Sequence, residues 1–131
     1  MNVSELMNIE VARAMPVATA TSRVMTMVLE GELDRDEAAD ICGMLGRLSA
    51  NGTNELVIDF TDVTHFDYRA VRGLVQRAEE MRVLGGDLKL AGLSPYLHAI
   101  FRSAGAHDAF DYFAQSDDAV RSFERGVLVY G

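Results

Sequence analysis

The hydrophobic positions of this chain change period several times, and each change marks an element. In "RVMTMVLEGEL" the β-branched Val24, Thr26 and Val28 alternate with Met25, Met27 and Leu29, which predicts a strand. Before it, residues from about Leu6 to Ala14 read as a first strand ending near Pro16, and "PVATATS" reads as a loop or irregular edge. Two strands joined this closely predict an antiparallel pair. Ala38, Ile41, Leu45 and Leu48 then recur at helical spacing. Asp34 precedes that helix with Glu37 three residues on, close to a capping box, and Gly52 suits the left-handed position after its end.

"NELVIDF" is a short, nearly unbroken apolar run, which predicts a parallel strand covered on both faces. "TDVTHFD" is read as the turn leaving it. A second helix is expected from about Tyr68 to Leu84, with Val71, Leu74, Val75, Ala78 and Met81 inward and Gly85-Gly86 as its stop. "DLKLAGL" is the next strand. Ser94-Pro95 supplies an N-cap and a proline at the first helical position, Leu97, Ile100, Phe101 and Ala104 form the buried side of that helix, and Gly105 ends it. "AFDYFA" reads as a last core strand, and Ser116, Asp117 and Asp118 open a helix ending near Arg125. The tail "VLVY" is either a short added strand or a packed extension. The order β-β-α-β-α-β-α-β-α predicts an α/β fold. Its mixed sheet has 4–5 strands with alternating helices and right-handed crossovers.

At 131 residues a single domain spanning 1–131 is expected. Twelve basic residues against 20 acidic give a net charge of −8, which repels nucleic acid and anionic membranes at long range. One cysteine excludes an internal disulfide. "MNVSELMNIE" lacks a basic region followed by an apolar core, and no apolar run nears the ~18 residues a membrane span needs. The expectation is a cytoplasmic protein that does not insert into membranes.

Candidate chemistry is sparse. Asp59, Asp62 and Asp67 surround one loop, but Asp62 reads as a turn residue and Asp67 as a cap rather than as metal ligands. His65, His98 and His107 lack ligand-like spacing, and His98 is expected to be a partly exposed helix residue. Cys42, beside Ile41, reads as a small buried hydrophobe, Ser94 as a cap rather than a nucleophile, and Gly85-Gly86 as a helix end rather than a phosphate loop. No catalytic constellation is visible, so neither enzyme activity, cofactor nor metal is expected. The odd stretch is "THFDYRAVRG", residues 64–73. It places Arg69 where a helix begins, at the positive end of the helix dipole, where an anion would be favoured.

Four phrases in order resemble the STAS family of anti-sigma factor antagonists, over about Val24 to Phe123. "LEGELD" is similar to that family's G-x-L-D before the first helix. "LVIDFTDVTHFDYRAVRGL" resembles its apolar strand, D-L-S-x-V and D-S-[ST]-G signature. "GGDLKLAGLSPYLHAIFRSAG" and "FDYFAQSDDAV" resemble the following strand–helix unit and the closing strand with its acidic helix start. The resemblance implies the STAS fold. It also implies a loop whose serine or threonine is phosphorylated by an anti-sigma factor with kinase activity, and which binds that factor when unphosphorylated. Aligned on Asp67, D-S-[ST]-G becomes Asp67-Tyr68-Arg69-Ala70, so the acceptor position holds Arg69, which takes no phosphate. His65 stands where the family is usually apolar and is expected to be buried and hydrogen-bonded.

What the resemblance implies, then, is a non-catalytic module whose degenerate loop, Asp67, Tyr68, Arg69, Ala70 and Arg72, meets an anti-sigma factor or related histidine-kinase-like ATPase protein. A homodimer is a further option. The alternative implied role is an accessory subunit of a lipid-transport ABC system. Tyr68 and Arg69 are open to two readings, as interface residues or as neutral surface substitutions.

Overall fold

In the structure, a computed structural model, residues 14–18 and 23–128 are described. Five strands lie in the order β1-β2-β3-β4-β5: β1 (Ala14–Ala18), β2 (Met25–Leu33), β3 (Glu55–Phe66), β4 (Asp87–Ala91) and β5 (Tyr112–Phe113). β1 pairs antiparallel with β2, and every later neighbour pairs in parallel, which is the mixed sheet the sequence predicts. The connecting helices are α1 (Arg35–Ala50), α2 (Val71–Val83), α3 (Pro95–Ser103) and α4 (Ser116–Leu128), with 3-10 turns at Tyr68–Ala70 and His107–Ala109.

The strand alternation divides the core. Leu56, Ile58 and Phe60 of β3 join Leu88 and Leu90 of β4 in the large cluster under α1, α2 and α3. Val57 and Ala91 face the other way and meet Ala119, Val120 and Phe123 of α4. β3 is therefore covered on both faces, as its unbroken apolar run predicts. Phe60, Phe66 and Phe101 are fully buried, with ring centres 5.7, 6.0 and 6.1 Å apart. Each such side chain contributes about 1.5–3 kcal/mol through burial.

Caps stand where the sequence puts them. Asp34 accepts from the Glu37 amide at 3.0 Å and Ser94 from the Leu97 amide at 3.2 Å. Gly52 follows α1 with φ +98°, and Gly85 follows the end of α2 with φ +88°. Gly86 passes so near the Asn54 carbonyl that a Cβ would lie 1.7 Å from it, so only glycine fits there.

Four boundaries differ from the sequence reading. The first strand spans Ala14–Ala18 and contains Pro16, whereas Leu6 to Ala14 was expected, of which only Ala14 lies within the described residues. Strand β1 is at the sheet edge, where one side needs no ladder partner and proline is tolerated. β3 does not turn at "TDVTHFD" but continues to Phe66, because it carries one extra residue opposite Val28–Glu30 and another opposite Gly31–Glu32, and these bulges keep the pair together. Asp62 is accordingly a strand residue opposite Glu30, not a turn residue. β5 is cut to two residues, since Ala109 ends a 3-10 turn and Phe110 turns into the core. α4 runs past Arg125 to Leu128, so the start of "VLVY" is helical and its last two residues lie outside the described ones.

Candidate functional site

The carboxyl end of β3 delivers the unusual stretch to the surface. Phe66 anchors it in the aromatic cluster, and the backbone then leaves the sheet at Asp67, extended at φ −64° and ψ 123°. Asp67 caps the 3-10 turn, accepting the Arg69 amide at 2.9 Å through Oδ1. The Arg69 guanidinium folds back onto the same carboxylate, donating from Nε to Oδ1 at 3.0 Å and from Nη2 to Oδ2 at 2.8 Å. A fork of this kind is the strong form of a charged hydrogen bond.

That geometry explains how a cation sits at the positive end of a helix. What the dipole meets is a paired, nearly neutral Asp67–Arg69 unit rather than a free guanidinium. The Arg69 side-chain hydrogen bonds hold the Asp67 carboxyl down at about 2; burial opposes them, and the Arg69 amide, the Arg69 charge and His65 add to the lowering. The same pairing raises the Arg69 pKa.

Below the turn lies Cys42. Its Sγ donates to the Ala70 carbonyl at 3.6 Å, and a Cβ on Gly73 would stand only 3.0 Å from it, so α1 and α2 meet closely under the site. Burial pushes the thiol up to about 11, with Arg77 pulling weakly the other way. Cys42 is thus the buried hydrophobe expected, and its thiol is not activated.

Above the turn the surface is open. Tyr68 is 58% exposed, the Arg69 side chain is 53% exposed, and Arg72 is exposed one turn along. Two clefts flank Tyr68. One, of about 350 Å³, is lined by His65, Phe66, Tyr68, Tyr96 and Ile100 among others. The second, of about 410 Å³, is lined by Tyr68, Arg69, Arg72, Ser103 and Ala104. His65 Nδ1 and the Tyr96 hydroxyl are hydrogen-bonded at 2.7 Å across the rim. His65 is therefore hydrogen-bonded as expected, but half-buried rather than buried, because β3 ends at the surface beside α3.

The three aspartates do not converge on one point. Asp59 accepts from the Thr61 amide and hydroxyl at 2.8 and 2.6 Å, Asp62 lies exposed on β3, and Asp67 caps. Among the described residues no group of three His, Cys, Asp or Glu is placed to hold a metal ion. The histidines do meet in part, which their sequence spacing hides. His98 Nδ1 lies 3.0 Å from His107 Nε2, and His107 stacks on Tyr112 at 4.5 Å. The two rings are tilted by 57° with their centres 5.2 Å apart, and a single nitrogen-to-nitrogen hydrogen bond joins them. Burial, then His107 and Arg102, lowers the His98 pKa, and burial with Asp108 pushes Tyr112 up to about 12 against Arg102.

The contribution of α3 to this surface is the feature that sequence reasoning missed. Tyr96, 53% exposed, was legible as the aromatic that the inward set Leu97, Ile100 and Phe101 leaves outside.

Comparison with known proteins agrees with this architecture. The STAS domain matches residues 15–119. No curated protein matches the sequence. Among solved structures the chain is similar to the anti-sigma factor antagonist SpoIIAA in its unphosphorylated form, at 18% identity over 85% of this chain and 97% of that one, with a TM-score of 0.65. It is similar to the Bacillus cell fate determinant SpoIIAA in the phosphorylated form, at 19% identity over 84% and 98%, with a TM-score of 0.65. An anti-sigma factor antagonist from Mycobacterium paratuberculosis gives 18% identity over 83% and 92%, with a TM-score of 0.66. At such identities the likeness is one of fold. No helix among the described residues is long and apolar enough to cross a membrane.

Proposed function

This chain belongs to the STAS domain family, and we propose that it is a non-catalytic regulatory module that docks an anti-sigma factor or a related histidine-kinase-like ATPase protein. In this reading it does so without phosphorylation at the position the family uses. The observation that carries it is the Asp67–Arg69 clasp at the start of the 3-10 turn. A phosphate added at a helix start brings about −1.5 to −2 charges and new acceptor oxygens. Arg69 has no group to accept one, and its guanidinium is already engaged by the cap. The loop is held in one charge state, so docking through Asp67, Tyr68, Arg69, Ala70 and Arg72 is constitutive rather than switched. Tyrosine and arginine are the side chains that most often anchor protein interfaces.

The test is titration calorimetry with the histidine-kinase-like ATPase encoded nearest the gene, followed by incubation with ATP and magnesium and mass spectrometry. Wild type should bind and stay unmodified at residues 67–70. Arg69→Glu should bind at least about tenfold more weakly, the effect of losing an interface anchor. Arg69→Ser keeps the Asp67 cap and should gain phosphate if the partner kinase reaches the loop. No binding by wild type, or equal affinity for Arg69→Glu, would remove this reading.

A further inference from the structure

We propose, resting on the docking reading above, that the two clefts beside Tyr68 form one bipartite socket for a partner segment that carries an apolar side chain next to an acidic one. The first cleft suits the apolar group. Its floor is Phe66, fully buried, its walls are the Tyr68 and Tyr96 rings and the half-buried Ile100, and its volume of about 350 Å³ admits one large side chain. Its two rim polar atoms, His65 Nδ1 and the Tyr96 hydroxyl, already satisfy each other at 2.7 Å. An apolar occupant therefore leaves neither of them without a hydrogen bond, which is the usual penalty for covering polar atoms.

The second cleft suits a carboxylate. Arg72 is exposed, and among the described residues no carboxylate pairs with it. Arg69 gives Nε and Nη2 to Asp67 and keeps the remainder of its fork toward solvent. Ser103, exposed at the end of α3, adds a hydroxyl and lines both clefts. Charge sharpens the requirement. The chain carries −8 overall, so a broadly acidic partner is repelled at distance, and the attraction must come from an acid placed locally between these guanidinium groups. Tyr68 lies between the clefts, so a segment crossing its ring puts neighbouring side chains into the two halves.

Two measurements test the socket, one of them without the partner. In the first, labelled protein is titrated by NMR with capped Leu-Glu, Leu-Gln and Ala-Glu peptides up to roughly 20 mM, a range suited to millimolar binding. Leu-Glu should shift the Ile100 methyl and Arg72 Nε signals together, and each control should bind at least about threefold more weakly. Equal shifts for all three peptides, or none at either residue, would overturn the socket. In the second, Arg72→Glu and Ser103→Glu are compared with wild type and Ser103→Gln for binding to the ATPase partner. Both positions are exposed, so folding should survive, and an unchanged thermal midpoint checks it. Arg72→Glu and Ser103→Glu should each weaken binding at least about tenfold, the latter by placing its own carboxylate in the cationic cleft, while Ser103→Gln, which loses the hydroxyl but adds no charge, should weaken it less than either. Tight binding by wild type with both glutamate variants unaffected would overturn the socket and leave docking intact. Failure of wild type to bind would instead remove the docking reading, and the peptide titration would decide the socket alone.

Discussion

Removing the Arg69 guanidinium should release the carboxylate it clasps, and the Asp67 titration reads this directly. In the folded protein the Arg69 hydrogen bonds hold Asp67 down at about 2, from an ordinary value of 3.8. At pH 3 a group titrating at about 2 is roughly one-tenth protonated, and one titrating near 3.8 is about six-sevenths protonated. The sign follows from linkage. The unfolded chain takes up the proton first, so the clasp favours the folded state fully above about pH 4, and this is lost as pH falls through about 2. Carboxyl carbon NMR from pH 6 to 3 on wild type and Arg69→Ala separates the cases. Wild-type Asp67 should stay largely ionised throughout, and the variant should titrate well within the window. The Asp67 cap of the residue-69 amide remains in the variant and burial opposes it, so its midpoint should rise toward the ordinary value of 3.8. A wild-type midpoint near 3.8, or one unmoved in Arg69→Ala, would refute the clasp and the account of the neutralised helix start.

Phe66→Ala should lower stability by about 3–5 kcal/mol in urea unfolding, because it removes a fully buried ring packed between Phe60 and Phe101. A loss below about 1 kcal/mol would mean that this ring does not anchor the site. Cys42, with its thiol pushed up to about 11, should react with a disulfide reagent at pH 8 on the order of a hundredfold more slowly in the native protein than in urea, and fast native labelling would contradict its burial. His98 has a lowered pKa when folded, so the unfolded chain protonates first. Its contribution to stability is present above about pH 6.5 and is lost as pH falls from there. His98→Gln should flatten the dependence of the urea midpoint between pH 7 and 5, and an unchanged slope would remove the assignment.

Most of the fold was legible because local signals agreed with burial. Asp34 and Ser94 announced their helices by short polar side chains that can cap, and both do. The unbroken apolar run of β3 announced a doubly covered strand, and the structure puts Val57 on one face and Leu56, Ile58 and Phe60 on the other. The errors lie where pairing between distant strands decides the boundary. "TDVTHFD" carries turn-like residues, but β3 takes them up in two bulges and stays in the ladder with β2. Pro16 looked like a stop and is an edge-strand residue, because the restriction on proline applies only where a partner needs its missing amide.

The candidate site divides along the same line between local and distant contacts. Asp67 as a cap followed from residue type and position, and so did the outward placing of Tyr68 and Arg69 once Val71 and Leu74 took the inward face. That Arg69 folds back onto Asp67 is a contact two residues apart, yet the sequence could equally have left the guanidinium in solvent. Tyr96 and Ser103 come from a helix some thirty residues further on and reach Tyr68 only because α3 packs across the end of β3. A hydroxyl at residue 69 would give the loop two charge states and let a kinase choose between them. With an arginine pinned there, the docking proposed above must draw its selectivity from what surrounds the loop, and the surface around it is built from Tyr68, Arg72 and the outer face of α3.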